Sequence, residues 1–575
     1  MRNLKTILAI FFILFSILGL LSWKNYEKPP AIAYAKPTAS PVTMCGTWLT
    51  NWLDTSYVQS KLLPGLGSLH YKVTTRSPKA QEFFEQGLRL VYGFNHWEAI
   101  QAFREASRLD PDCAMAYWGL ALAYGPNLND GTPTDREKIA FDFLQKVIKR
   151  SSKATAVEKD FIAALAARYN GKAYATRDSL NRTYADAMIA LSKKYPNDPE
   201  VQTLSADAIM NTMPWDYWLK DGSPKPETKQ AKVVLENVLA KFPNHPGAHH
   251  LYIHLVEASP NPEQALASAQ FLETAMPGAG HIVHMPAHIY VRVGQYARSI
   301  TVNQRAVMVD EEYLSDSNNK GMYRNSLYPH NVDFISYSAY LDGRSSLAIQ
   351  TAMKLAYKGS LMTSSNPAWA QYLTVEPIHA FVRFGKWNDI LSQSIPDDAF
   401  IYAQLISRYA KGLASLRMNK LQQAENNFSK LDSLCKLDTL GSIYFSFNSV
   451  AKVAAVPFNL LKGELLIKQN RVEEGIAALR EAVNVEDDLR YNEPPDWKIP
   501  SRHFLGAALY DAGKYEEAEK IYTEDLKRNP ENGWALKGLI LCQEKLGKKT
   551  EAAVTAKRFA KAWQNADVKL VSSRF

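Results

Sequence analysis

Six of the twelve histidines in this 575-residue chain fall between Pro246 and Tyr290. Two of them recur at one interval: His250 with His284, and His254 with His288, each pair 34 residues apart. His250 and His254 are four residues apart, and so are His284 and His288. On a helix, residues four apart share a face, with β-carbons roughly 5–6 Å from one another. Glu257 continues the face begun by His250 and His254. Neutral imidazole is a ligand for zinc, copper, iron and nickel, and carboxylates often complete the set. The chemistry this pattern offers is therefore a transition-metal site with His250, His254, Glu257, His284 and His288 as ligands, supplemented by His281, His330 or Asp333. No cofactor is certain from sequence. Two other roles fit the same residues: acid/base work or the gripping of a ligand, and a polar ladder that orders the interior without an ion. His249 reads as a packing residue and His245 as a turn residue. Pro286 removes a backbone donor inside the expected helix, which bends or restarts it there. That would leave His281 and His284 on an irregular turn.

The elements that must position these side chains repeat along the chain. In AQEFFEQGLRLVYGFNHWEAIQAFREASRLDP, which starts at Ala80, Gly87 is the small residue at which two helices cross. Ala99, Phe103 and Ala106 form a stripe on the second helix, and Pro111 stops it. AMAYWGLALAYG opens a similar unit at Ala114. Later units open near Pro246, Gly280, Pro329, Gln371, Leu405, Asn459 or slightly before, Ile499 and Gly533. Gly412, Gly463 and Gly506 take the place of Gly87, and Gly513 and Gly547 lie 34 residues apart.

These marks resemble the tetratricopeptide repeat, a two-helix unit with a period of about 34 residues that stacks into a superhelix. The resemblance covers most of residues 80–565 and implies an all-α solenoid of stacked helix-turn-helix units. In that family, first-helix positions 2, 5, 9 and 12 line a concave groove. Carried over residue by residue, His250 is at 5, His254 at 9 and Glu257 at 12 of the Pro246 unit. His281, His284 and His288 are at 2, 5 and 9 of the Gly280 unit. His330, Asp333 and Tyr337 are at 2, 5 and 9 of the Pro329 unit, with His379 at 9 and His503 at 5 of later ones. The resemblance also implies a protein or peptide partner held in the groove, contacted by His281, His330, Asp333, Tyr337, His379 and His503. On this reading the chain is a binding or scaffold protein. The alternative is a metal-binding protein or metalloenzyme that uses the histidine-lined part of the groove.

Insertions break the period. Helix-like segments lie within residues 125–180, PWDYWLKDGSPKP spans residues 214–226, and YNEPPDWKIP precedes Ile499. Loops inserted into solenoids often sit on the binding side. Their aromatics, Trp215, Trp218, Tyr323, Tyr328 and Trp497, either cover the groove or peg the loops locally. No role attaches to the Glu493–Trp497 stretch from sequence.

Composition bounds the rest. An apolar content of 46% and a charged content of 22% describe a folded chain, too long for one compact core. The net charge of +9 is spread without basic runs, so nothing points to nucleic acid. Residues 7–23 are almost wholly apolar, with Arg2 and Lys5 before them. They read as an N-terminal hydrophobic helix that anchors the chain in a membrane or serves as an export signal, with the body on the non-cytoplasmic side. The organisation expected is an anchor or signal at 1–24, a tether and lead-in at 25–79, an N-terminal array at 80–345 and a C-terminal array at 346–575. Of four cysteines, Cys45, Cys113, Cys435 and Cys542, only the first two invite a pairing test. H-E-x-x-H, the P-loop and G-x-S-x-G are all absent, so no established catalytic motif assigns an activity.

Overall fold

A computed structural model describes residues 59–131, 134–171, 177–317, 323–362, 367–445 and 447–575. The hydrophobic helix expected at residues 7–23, the tether and Cys45 lie outside them. Among the described residues no helix is long and apolar enough to cross a membrane. The remaining cysteines, Cys113, Cys435 and Cys542, are free thiols.

The described chain is helical, with only isolated bridges of extended structure. Helices α1 (Pro78–Tyr92) and α2 (His96–Leu109) form the first pair. Helices α3 (Ala114–Ala123), α4 (Thr134–Arg150), α5 (Ala156–Ala166), α6 (Arg177–Lys194), α7 (Pro199–Met210) and α8 (Pro226–Lys241) carry the stack onward. The histidine-bearing units follow: α9 (Pro246–Val256) with α10 (Leu266–Ala275), α11 (Gly280–His284) and α12 (Pro286–Arg292) with α13 (Tyr296–Asp316), and α14 (Tyr328–Asp342) with α15 (Ser345–Ser360). Then come α16 (Pro367–Thr374) and α17 (Glu376–Arg383) with α18 (Trp387–Ser392), and α19 (Ile401–Arg417) with α20 (Leu421–Cys435). The last units are α21 (Val450–Lys468) with α22 (Val472–Asp488), α23 (Ser501–Asp511) with α24 (Tyr515–Arg528), and α25 (Gly533–Lys545) with α26 (Lys549–Ala562). The units expected to open at Leu405 and Asn459 begin earlier, at Ile401 and Val450, because their first helices run to 17 and 19 residues.

Local sequence explains the first pair. Ser77 accepts a hydrogen bond from the Ala80 amide and Pro78 occupies the first turn, which together start α1. A β-carbon at Gly87 would lie 2.6 Å from the Phe103 ring, and one at Gly119 would lie 2.4 Å from it. Phe103 is thus a knob seated between two glycines on neighbouring helices, which is why those positions carry no side chain. Gly412, Gly463 and Gly506 receive Leu461, Leu479 and Tyr522 in the same way.

Pro286 interrupts the hydrogen-bond ladder between α11 and α12, as its missing N–H requires. The break is shallow. Met285 keeps helical dihedral angles, φ −49° and ψ −36°. His281 and His284 therefore sit on a regular helical turn rather than an irregular one, and His284 and His288 still share a face.

The stack curves until its C-terminal units meet the units in its middle. Tyr296 donates to the Pro530 carbonyl at 2.8 Å, and Trp534 donates to the Tyr340 carbonyl at 2.8 Å. Asp567 accepts from the Ser345 amide at 2.6 Å. Stacking runs without a break through residue 345, since α14 packs directly on α15. The YNEPPDWKIP segment folds into the concave side. Trp497 is buried between the rings of His379 and Tyr409, at 5.4 and 5.5 Å. Lys498 is wholly buried and paired with Asp333 and Glu376. Part of the concave side is therefore filled by the chain itself. Its own segment lies against the concave residues of the units that begin at Pro329 and Gln371.

Candidate metal centre

Six imidazoles meet where α9, α11, α12 and α14 face one another. Every residue of α9, α11 and α12 from Pro246 to Val256 and from Gly280 to Val291 is buried, Met285 included. Rings follow one another across the inner face. His250 lies 4.8 Å from His254 and 5.0 Å from His281, and His254 lies 5.4 Å from His288. His284 is 4.7 Å from His288 and 4.8 Å from His330. The 34-residue period brings equivalent faces side by side, as the sequence indicates.

Two groups of three can be drawn within this row. In His250, His254 and His281, one ring nitrogen from each lies within 4.8 Å of the others. The same holds for His284, His288 and His330. In four of the six, His250, His254, His284 and His288, the outer nitrogen is held by an acceptor. His250 Nδ1 donates to the Tyr92 carbonyl at 2.5 Å and His254 Nδ1 to Glu257 Oε1 at 2.8 Å. His284 Nδ1 donates to Asn303 Oδ1 at 2.6 Å; the amide orientation is fixed because Asn303 Nδ2 donates to the Ser299 carbonyl. His288 Nδ1 donates to Glu257 Oε2 at 2.5 Å. Each of these four histidines thus turns Nε2 inward. This is the arrangement by which a second layer of acceptors fixes the tautomer and the ring of a metal-binding histidine.

The two groups differ in what remains unpaired. In the first, His250 Nε2, His254 Nε2 and both ring nitrogens of His281 are buried without a hydrogen-bond partner. A buried polar atom left so costs on the order of 1–3 kcal/mol. In the second group, His284 Nε2 accepts from His288 Nε2 at 2.8 Å. His288 therefore donates from both nitrogens and carries a charge.

Electrostatics follow from burial and one carboxylate. Burial, with the neighbouring imidazoles, pushes His250, His281, His284 and His330 well below the usual histidine value. Burial also lowers His254, against the pull of Glu257. His288 behaves oppositely: burial disfavours its charge, but Glu257 and Glu493 outweigh that and raise it to about 10. Burial likewise opposes ionisation of Glu257, yet His288 and the hydrogen bonds from His254 and His288 hold it below the ordinary carboxylate value.

Two aromatic residues that sequence reading left out, or left undecided, frame the row. The Phe94 ring lies 4.4 Å from His250, 5.8 Å from His254 and 5.5 Å from His281. The Trp215 ring lies 5.1 Å from His254. Both backbones are left-handed, with φ of 54° and 61°. That conformation costs a bulky residue on the order of 1–3 kcal/mol and is tolerated where the surroundings over-determine it, often at functional sites. Trp215 and Trp497 reach the concave side. Trp218, Tyr323 and Tyr328 peg their loops, bonding to Leu255, Asp310 and Glu311.

A cavity of about 430 Å³ opens beside the row, lined in part by His254, His288, His330, Trp215, Arg490 and Glu493. Glu493, to which the sequence assigned no role, lies 3.3 Å from His288 Nδ1. Its only signal was the unusual loop that carries it. Tyr92 and Asn303 act through ordinary hydrogen bonds that no spacing announces.

The other residues expected to contact a ligand are divided between the row and other parts of the concave side. His281 and His330 join the row. Asp333 is tied to Lys498 and Tyr372. Tyr337 is buried, His379 packs on Trp497, and His503 bonds to Asp525 at 3.0 Å. Asp333 nevertheless lines the same cavity as His254, His288 and His330, whereas Tyr337, His379 and His503 are not brought together with the histidine row. Glu257 reaches the row as an acceptor behind two histidines. His249 bonds to Ser268 and stacks on Phe271, and His245 caps α9 through the Ala248 amide.

Comparison with known proteins bears on the fold. The tetratricopeptide repeat family matches residues 84–124 and 505–567. Among solved structures, the human IFIT1 dimer with m7Gppp-AAAA aligns with 12% identity and a TM-score of 0.32, covering 85% of this chain and 91% of that one. The APC/C hetero-tetramer Cut9-Hcn1 aligns with 12% identity and a TM-score of 0.29, covering 85% and 74%. No curated protein matches the sequence.

Proposed function

We propose that the chain is a transition-metal-binding protein whose ion is held by His250, His254 and His281 inside a tetratricopeptide solenoid. One observation carries this reading. Three buried imidazoles converge with their inner nitrogens unpaired, while the outer nitrogens of His250 and His254 are fixed by the Tyr92 carbonyl and Glu257. Among the described residues no group satisfies those inner nitrogens, and an ion placed among them would. An all-imidazole donor set suits zinc, copper, nickel or ferrous iron and is foreign to calcium and magnesium, which take oxygen. When bound, such an ion supplies a Lewis acid centre, or an electron-transfer centre for copper or iron. The residues present do the positioning: Tyr92 and Glu257 set the tautomers, and Phe94 covers one side of the three rings.

The test is titration of metal-stripped protein with zinc, copper, nickel and ferrous iron, followed by gel filtration and elemental analysis. One tightly held ion that is lost in His250→Ala and His281→Ala, with helical circular dichroism intact, supports the reading. Wild-type protein that retains no ion refutes it.

The tetratricopeptide repeats support a second role, association with a protein partner. Because YNEPPDWKIP occupies part of the concave side, we place such a partner on the outer surface. Capture of the same partner by wild-type and metal-stripped protein would support this placement, and competition by a peptide seated in the groove would exclude it. The apolar run at residues 7–23 supports export or anchoring, with the body outside the cytoplasm. Full-length protein that sediments with membranes, and is protected from protease in intact cells, is the expected outcome.

A further inference from the structure

A second group of three imidazoles lies beside the first. We infer that His284, His288 and His330 take another transition-metal ion, and that this one keeps a coordination position open to the cavity for a small anionic oxygen or nitrogen donor. The inference rests on the reading of the first centre, since Glu257 serves both. One of its carboxylate oxygens accepts from His254 in the first group, and the other accepts from His288 in the second. A single buried side chain thus turns one Nε2 of each group inward.

The outer contacts of the second group match those of the first. His284 Nδ1 is held by Asn303, as His250 Nδ1 is held by Tyr92. Each group therefore has two histidines four residues apart with fixed outer nitrogens, and a third imidazole from the next unit along: His281 for the first, His330 for the second. The inner nitrogens of His284 and His288 are 2.8 Å apart. Two imidazole nitrogens on one tetrahedral zinc, each at about 2.0–2.1 Å, are roughly 3.3 Å apart. A few tenths of an ångström of ring movement admits the ion. Its uptake displaces the proton that His288 Nε2 donates to His284 Nε2. That proton leaves to solvent, and the charge it carried is replaced by that of the ion.

What distinguishes the two positions is access. Of the first group only His254 reaches the cavity, and Phe94 lies against all three rings. Of the second group, His288 and His330 both line the cavity. Metal sites closed by protein are structural, and sites with three protein ligands and an open position are reactive. At about 430 Å³ the cavity falls in the range of small-molecule sites, roughly 300–1,000 Å³. Arg490 stands at its wall over the Phe447 ring, at 4.4 Å, and with Arg177 offers an anionic ligand a cationic partner among the carboxylates of Asp130, Asp178, Asp333 and Glu493 that line the same cavity.

Cobalt is the probe, with azide as the exogenous anion. Metal-stripped full-length protein is loaded with cobalt(II), freed of excess metal, and analysed for cobalt content and visible spectrum. Two cobalt ions per chain are expected, and one each in His281→Ala and in His330→Ala. Azide should shift the visible bands of His281→Ala, which keeps the cavity-facing ion, and leave those of His330→Ala unchanged. His330→Gln, which keeps the size of the side chain, should repeat the His330→Ala result and so separates ligation from folding. One cobalt per chain with no loss in either His330 variant would overturn the second site and leave the proposed function standing. One cobalt lost in both the His281 and His330 variants would overturn it as well, by showing a single shared site. No cobalt at all would overturn both.

Discussion

Glu257→Gln is the sharpest perturbation of the histidine row, because one buried carboxylate orients two of its members. Glu257 is wholly buried and accepts from His254 at 2.8 Å and from His288 at 2.5 Å. A glutamine keeps the shape but offers one acceptor and one donor. It can hold only one of the two histidines in its present tautomer. The other must present a lone pair at Nδ1 and move its proton to Nε2, the atom that would bind the ion. Loss of such an outer partner typically weakens metal binding about 10–100-fold, which is roughly 1.4–2.7 kcal/mol. The metal-free protein should respond too. His288 is raised to about 10, so its pairing stabilises the fold fully below its unfolded value of about 6.5. That contribution is lost as pH climbs through 10. Glu257 is lowered, so its contribution is present above about 4.5 and lost in acid. The wild-type protein should therefore lose stability from pH 6.5 to 10 more steeply than Glu257→Gln. The assays are competition for the ion with a chromogenic chelator and thermal melts across that range. Unchanged affinity together with parallel pH profiles would refute the shared-carboxylate argument.

The remaining expectations are simpler. Phe94→Ala should lower stability by about 3–5 kcal/mol and speed removal of bound metal by a chelator; an unchanged stripping rate would show that Phe94 does not shield the ion. Gly119→Val should destabilise by at least about 1–3 kcal/mol through overpacking, because its β-carbon would meet the Phe103 ring at 2.4 Å; wild-type urea melts would contradict that packing. Burial raises Asp310 to about 7, against hydrogen bonds from Tyr323 and Asn331. Its contribution is present below about 3.8 and lost as pH rises through 7, so Asp310→Asn should flatten the fall in stability between about pH 4 and 7.

Helical periodicity, glycines at helix crossings and the 34-residue recurrence of His250 with His284 are local facts, and they were enough to determine a stacked all-α architecture. Because the histidines keep that period, the sequence also determined that His250, His254, His284 and His288 face one side. It could not decide how each ring is used. Whether an imidazole is a ligand, a cation or a packing group depends on which atoms sit behind its outer nitrogen. Those atoms come from far away in the chain: Tyr92 lies 158 residues from His250, and Glu493 belongs to the loop between α22 and α23. Closure of the superhelix, which places YNEPPDWKIP against the concave side and buries Lys498 between Asp333 and Glu376, is likewise set by contacts such as Trp534 with Tyr340. Small rotations between successive repeats accumulate into that curvature, and no single repeat encodes their sum. The row of histidines was in the sequence; its division into a shielded group and a cavity-facing group was decided only by the fold.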